Sequence, residues 1–302
     1  MRTLLKIKEN KPYSNHTLGI KIGSVSCALK CQDTVIYDKL QRLYHNFLTD
    51  ELADVTIELK PVNRLSPEDL SAILSRTRFK HKGNSIRTTS RIMRGRYDLA
   101  RHTISITGEG SLIDPDMEFN HLNKLLTAAY YSACKIKYDS RPPAMLVHAC
   151  GILRYGQALV FTGPSDAGKS TIARLFDKQH GEVINDEMLL MSRPSPAGNS
   201  VSIQSAPIIG DLLPGRNTSA PLRCILLLKQ SHKTAFHYLD KVDAHLRFMR
   251  QIISPVCIGQ KDKRSVYSMI ADFSAEVTSA VPVYELEFNL DEKSLWQITG
   301  DL

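Results

Sequence analysis

Along the first third of the chain, apolar residues recur at strand-like intervals. The segments GIKIGSVSCAL, ADVTIELK and HTISIT alternate or run apolar over short lengths, which predicts strands joined by turns. Between the first two, IYDKLQRLYHNFL spaces Leu40, Leu43, Tyr44 and Phe47 as one helical face. DPDMEFNHLNKLLTAAYYSACKIKY opens with acids beside a proline and carries the stripe Leu122, Leu125, Leu126, Ala129 and Tyr130, so it reads as a helix closing the strand-rich stretch. DSRPP at 139–143 reads as a linker. After it, AMLVHACGIL and QALVFTG predict two strands with a turn near Tyr155 and Gly156, followed by a helix KSTIARLFDKQ. EVINDEMLLM predicts one strand bearing the adjacent carboxylates Asp186 and Glu187, and SVSIQSA, LRCILLLKQ, TAFHYL and VPVYELEF predict further strands, with helices near 242–252 and 265–279. The expected architecture is α/β, with a smaller α+β unit over residues 1–118 and the larger unit over 119–302.

One junction carries chemistry. GPSDAGKST, residues 163–171, lies between the apolar run ALVFT and the helix IARLF and satisfies G-x-x-x-x-G-K-[ST] through Gly163, Gly168, Lys169 and Ser170. A strand before it and a helix after it would bring the loop amides and the helix dipole onto one anion. The whole stretch, Gly163, Pro164, Ser165, Asp166, Ala167, Gly168, Lys169, Ser170 and Thr171, is therefore the expected nucleotide cradle. Lys169 would span the β- and γ-phosphates, Ser170 would hold Mg²⁺ and Thr171 would add a donor. Asp166 is a carboxylate inside this cradle and is expected to point to solvent.

Asp186 and Glu187 follow in INDEM. Phosphoryl transfer to a hydroxyl needs a proton acceptor and a metal ligand; Asp186 is the expected base, Glu187 the expected metal or supporting carboxylate, and both are candidates for the Mg²⁺ site. A solvated turn between two strands would look the same. His148, in LVHACG on the strand before the loop, is a catalytic candidate, although a histidine among apolar residues is most often a satisfied core group.

The run LVHACGILRYGQALVFTGPSDAGKSTIARLF…VINDEMLLM resembles the catalytic domain of the HPr kinase/phosphorylase family, as do APLRCILLLKQ and VPVYELEFNLDEKSLWQI. The resemblance covers about residues 120–302. It implies a P-loop kinase fold distantly shared with phosphoenolpyruvate carboxykinase, ATP with Mg²⁺ as cofactors, and phosphorylation of a hydroxyl. By position His148 matches the family's active-site histidine and Asp186 with Glu187 its acidic pair. The pair here is Asp-Glu rather than Asp-Asp, Asp166 replaces a common glycine, and no RGLG-containing stretch is present, which leaves the HPr substrate and the reverse activity open. Some relatives resemble kinases that modify a serine of lasso-peptide precursors, which would suit a peptide-sized acceptor.

Composition bounds the partners. The 302 residues include 42% hydrophobic and 23% charged residues, as in globular proteins, and no apolar run is long enough to span a bilayer. MRTLLKIKEN breaks into charge too early for a secretory signal, so a cytoplasmic protein is expected. The six cysteines fit neither a disulfide framework nor a zinc pattern and are expected as buried thiols. The net charge of +8 lies entirely in residues 1–142, and from Arg76 to Arg101 nine basic residues stand against Asp98 alone. That segment is either a solvated surface or a dock for an acidic protein or peptide; nucleic acid fits less well, with only Phe79 and Tyr97 interleaved. Arg216, and less well placed Arg223, could approach a transferring phosphoryl group. The expected activity is an ATP- and Mg²⁺-dependent kinase acting on a hydroxyl of a protein or peptide, with a homo-oligomer as a candidate assembly. A nucleotide-dependent regulatory module and a plain ATPase are the alternatives.

Overall fold

The structure, a computed structural model, describes residues 16–62, 78–82, 85–89, 94–98, 103–109, 119–138, 141–177, 181–195, 200–212, 215–254 and 263–289. It is a mixed α/β protein with two sheets. The first has the order β1-β2-β3-β7-β6-β5-β4, from β1 (His16–Ile22), β2 (Val25–Cys31), β3 (Val55–Val62), β4 (Arg78–Lys82), β5 (Ser85–Thr89), β6 (Arg94–Asp98) and β7 (Thr103–Glu109). β1 and β2 form a hairpin, β3 joins β2 and β7 joins β3 in parallel, and β4 to β7 form an antiparallel meander ending at the edge strand β4. In β1, Leu18, Ile20 and Ile22 are buried while Thr17, Gly19 and Lys21 are not, the one-sided pattern of a strand with one face on a core.

Helix α1 (Thr34–Leu43) starts at Asp33, whose carboxylate accepts from the N–H groups of Val35 and Ile36. Its expected stripe is buried at Leu40, Tyr44 and Phe47. Tyr44 is fully buried, and among the described residues its hydroxyl has no hydrogen-bond partner. Removing that stranded group in Tyr44→Phe should leave stability unchanged or raise it by about 1 kcal/mol. A lower melting temperature for the variant would show that the hydroxyl is satisfied.

Helix α2 (Phe119–Tyr138) lies against β2 and β3 and buries Leu122, Leu126, Ala129, Tyr130, Ala133 and Cys134. It also grips the second sheet: Tyr130 Oη donates to the Ala144 carbonyl (2.8 Å), Tyr131 Oη to that of Ile253 (2.8 Å), and the Asn123 side chain bonds both N–H and C=O of Ile209. Residues of both sheets accordingly share one buried cluster, from Leu18 to Val283. The described end of the expected linker is tied down, since Arg141 pairs with Glu276 and the Pro142 carbonyl accepts from Arg193.

The second sheet runs β10-β8-β11-β12-β13-β15-β14, with β9 bridging β8 and β13: β8 (Ala144–Arg154), β9 (Gln157–Thr162), β10 (Glu182–Asn185), β11 (Met188–Ser192), β12 (Ser202–Ser205), β13 (Ser219–Gln230), β14 (Ala235–Tyr238) and β15 (Val283–Phe288). β8 and β9 form the expected hairpin, its turn made by Tyr155 (φ 49°) and Gly156 (φ 76°), both left-handed as a two-residue hairpin turn requires. β13 lies parallel to β9 and β15 on its two sides, and its central run from Cys224 to Leu228 is buried throughout, as expected of a strand inside a parallel sheet. Helix α3 (Lys169–Asp177) follows the glycine-rich loop, and α4 (Lys241–Met249) and α5 (Lys263–Ala280) occupy the two predicted helical stretches near the end. Cys27, Cys31, Cys134, Cys150 and Cys224 are free and buried, and Cys257 lies outside the described residues.

Candidate active site

Two features meet at the end of β9. The first is the loop of residues 163–168, which β9 enters and α3 leaves. The Ala167 N–H bonds the Pro164 carbonyl (3.2 Å), closing a tight turn, and Asp166 (φ 63°) and Gly168 (φ 104°) reverse the backbone. Gly168 has a second reason to lack a side chain: a Cβ there would come within 2.5 Å of the Phe288 ring. Gln230 donates to the Asp166 carbonyl (2.8 Å), while Asp166 itself is exposed as expected. Pro164 and Ser165 are also exposed, Ser170 and Thr171 half-buried, and the first amides of α3 have no intrahelical acceptor. Lys169 is buried, with Nζ donating to the carbonyls of Gly163 and Pro164 (3.1 Å each). Burial pulls its pKa down, while the charges of Glu187 and Asp166 push it up.

The second feature is the acidic turn. The expected single strand 182–191 is interrupted: after a register shift between Val183 and Asn185 it aligns with β8, Asn185 opposite Gly151 and Met188 opposite His148, but Asp186 and Glu187 form a turn between β10 and β11, with only the Glu187 carbonyl still accepting from Ala149 of β8 among the described residues. The physical cause is Asn185. Its buried Oδ1 accepts from the N–H groups of Glu187 and Met188 (2.8 Å each), and its Nδ2 donates to the carbonyls of Ala206 (3.1 Å) and Ile208 (2.9 Å). A side chain that satisfies two amides locally competes with the sheet for them.

The turn divides the two acids. Asp186 is buried, its Oδ2 accepting from the N–H groups of Asp211 (3.0 Å) and Leu212 (3.2 Å), and its Oδ1 faces Gly210, where a Cβ would come within 2.3 Å. Glu187 is half-exposed, and its Oε2 lies 3.8 Å from His148 Nε2, also half-exposed. His148 is therefore no satisfied core group. It is the last residue of β8 to pair with β11; β10 continues along that edge from Gly151, and β9 takes the opposite edge from Ala149.

Gly210 and Asn185 escaped the sequence reading because both act on residues more than twenty positions away. In Gly210→Ala the Asp186 carboxylate could yield only by giving up the Asp211 and Leu212 amides, and the new Cβ would also meet that of Glu187 (2.9 Å). The variant should lose about 1–3 kcal/mol of stability in denaturant unfolding. Wild-type stability would show that the loop shifts freely.

Burial raises the Asp186 pKa above 3.8, and the two amide bonds only partly offset it. The folded protein thus holds this proton more tightly than the unfolded chain, and the stability it contributes is complete below 3.8 and lost as pH rises through the folded value. Relative to Asp186→Asn, the wild type should lose stability across that window; parallel stability curves for the two proteins would contradict this.

The arginines fall elsewhere. Arg223 donates to Gln157 at the opposite end of β9 from the loop (3.0 Å), so the expectation that it approaches a phosphoryl group is corrected: β13 begins at Ser219, which sets Arg223 beside the start of β9. Arg216 is exposed next to Gly215, whose Cα side abuts the carbonyls of Val183 and Ile184. Arg174 of α3 bridges to Asp211 (2.9 Å), tying the helix after the glycine-rich loop to the segment that Asp186 holds.

Among the described residues no group of three or more His, Cys, Asp or Glu side chains gathers around a metal position. Mg²⁺ sites built on one or two carboxylates plus substrate phosphates need no such group, and Ser170 with Glu187 has that composition. The loop fits a nucleotide on the same ground: free helix amides, a cation and a hydroxyl at one bend, with no room for a side chain at Gly168.

No family model matches the chain, and no curated protein matches it. Among solved structures, the Hpr(Ser) kinase/phosphatase from Coxiella burnetii is similar over 51% of this chain and 91% of that chain, at 9% identity and a TM-score of 0.29. A likeness of that size carries no argument, and the functional reading rests on the side chains. Among the described residues no helix is long and apolar enough to cross a membrane.

Proposed function

We propose that this chain is an ATP- and Mg²⁺-dependent kinase that transfers the γ-phosphoryl group to a hydroxyl, a serine for preference, of a protein or peptide. The observation that carries the reading is the electrostatic contact between the two features: the Lys169 ammonium of the phosphate loop feels the Glu187 carboxylate of the acidic turn, which in turn lies 3.8 Å from His148. A cation, a carboxylate and a titratable imidazole beside free helix amides are the parts that phosphoryl transfer uses.

When bound, Mg·ATP supplies the electrophilic phosphorus and the cation that neutralises its oxygens. Lys169, which bonds its own loop carbonyls in the free protein, would turn to the β- and γ-phosphate oxygens, and the amides of 168–171 would hold the same anion. Ser170 and Glu187 would hold the metal. His148 would receive the proton of the attacking hydroxyl, and the Glu187 carboxylate, 3.8 Å from Nε2, would stabilise the imidazolium that forms. The proton-accepting role expected of Asp186 passes to His148 in this reading, because both Asp186 oxygens face the 210–212 segment; Asp186 holds that segment instead.

The test is incubation of the protein with γ-labelled Mg·ATP and a set of serine-containing peptides and proteins. The reading expects label on an acceptor. Label released only as inorganic phosphate would make the chain an ATPase, and nucleotide bound but never turned over would make it a regulatory module.

A further inference from the structure

Asp166 sits in the middle of the loop that would cradle a phosphate, yet its side chain offers none of the groups that hold one. Its backbone is left-handed (φ 63°), a conformation that aspartate tolerates better than most residues. Gln230, at the end of β13, donates to its carbonyl (2.8 Å), and two residues on Gly168 lies against the Phe288 ring of β15. With the turn held at both places, the exposed carboxylate stays at the loop and only its side-chain torsions remain free.

The charges around it leave it uncompensated. Among the described residues the Asp166 carboxylate makes no ion pair and no hydrogen bond. The basic side chains of the neighbouring elements are engaged elsewhere, Lys229 with Glu285 and Glu287 and Arg174 with Asp211. Lys169 donates to the Gly163 and Pro164 carbonyls, and its ammonium feels both the Asp166 and the Glu187 carboxylates. The bend therefore sets one cation against two carboxylates, and His148 beside Glu187 adds positive charge only when protonated.

Loop amides and an ammonium attract any phosphate chain, but a carboxylate at the same bend repels it in proportion to the charge that the chain carries. A metal-free triphosphate carries the most. Magnesium bridging its β- and γ-oxygens removes much of that charge.

We propose that Asp166 is a specificity-determining residue of the nucleotide loop, whose carboxylate selects the magnesium complex of a nucleoside triphosphate against the metal-free anion. The proposal rests on the kinase reading for the nucleotide itself and is independent of the transfer step.

The test is calorimetric titration of the full chain with ATP, once with excess Mg²⁺ and once with EDTA. The wild type should bind Mg·ATP more tightly than metal-free ATP. Asp166→Asn removes the charge and keeps a residue that accepts the left-handed backbone; Asp166→Gly does the same by a second route, should the first variant not fold. Either should tighten binding of metal-free ATP about tenfold and that of Mg·ATP by about threefold at most, so the preference for the complex shrinks. Gln230→Ala, which releases the Asp166 carbonyl and leaves the charge, should shift both affinities by one factor and keep the preference. A wild type without preference, or Asp166 variants whose two affinities change alike or not at all, would make the carboxylate a solvated bystander. An equal loss of preference in Gln230→Ala would assign the effect to the shape of the loop. Each of these results overturns the proposal and leaves the kinase reading standing. A wild type that binds neither form would instead strike the nucleotide reading, and the proposal would fall with it.

Discussion

Replacing Lys169 with methionine is expected to weaken Mg·ATP binding about 10²-fold, the scale of removing one member of a buried, hydrogen-bonded charge pair. The fold should tolerate the change. In the free protein the ammonium bonds the Gly163 and Pro164 carbonyls, and burial already lowers its pKa, so the folded state holds that charge less well than water does. Methionine fills a similar volume without the charge. Calorimetric titration with Mg·ATP checks the first point and thermal unfolding the second. If affinity fell no more than twofold, Lys169 would be a structural strut of its loop and the phosphate-cradle reading would lose its cation.

The second large effect belongs to the pair 3.8 Å apart. His148→Ala and Glu187→Gln should each lower the rate of transfer by about 10²–10⁴, the usual contribution of acid–base assistance. If the imidazole accepts the proton only while Glu187 orients it, the double variant should be scarcely slower than the worse single one, because residues acting as a unit do not add. The two should separate in binding: His148→Ala should keep wild-type affinity for Mg·ATP, whereas Glu187→Gln should need more magnesium to reach it. Additive losses would place the two groups in independent tasks. Asp186→Asn, by contrast, should act first on stability and its pH dependence, because that carboxylate is engaged with the Asp211 and Leu212 amides.

What the linear chain discloses here is mostly local. The hairpin at Tyr155 and Gly156, the phosphate loop with α3, the buried strand around Cys224–Leu228 and the stretches of α4 and α5 all follow from residues close in sequence. The break in the strand 182–191 does not, because half of Asn185's bonds go to the carbonyls of Ala206 and Ile208. The same distance hides why Asp186 is closed off, since the covering atoms belong to residues 210–212. Arg223 misled for a related reason: its place depends on where β13 starts against β9, a register no local pattern sets. In the basic segment the alternation of 78, 80 and 82 or of 94 and 96 is visible in sequence, but only strand pairing shows that these positions share a face. The segment 114–118, read as a helix start, lies outside the described residues.

The most direct measurement is a crystal structure of the protein with Mg²⁺ and a non-hydrolysable ATP analogue. The account predicts the triphosphate on the amides of residues 168–171 with Lys169 Nζ turned from the Gly163 carbonyl to a phosphate oxygen. It also predicts a magnesium ion about 2.1 Å from Ser170 Oγ and within one water of Glu187. An analogue bound elsewhere, or a metal held by Asp186 with Glu187 turned away, would contradict it.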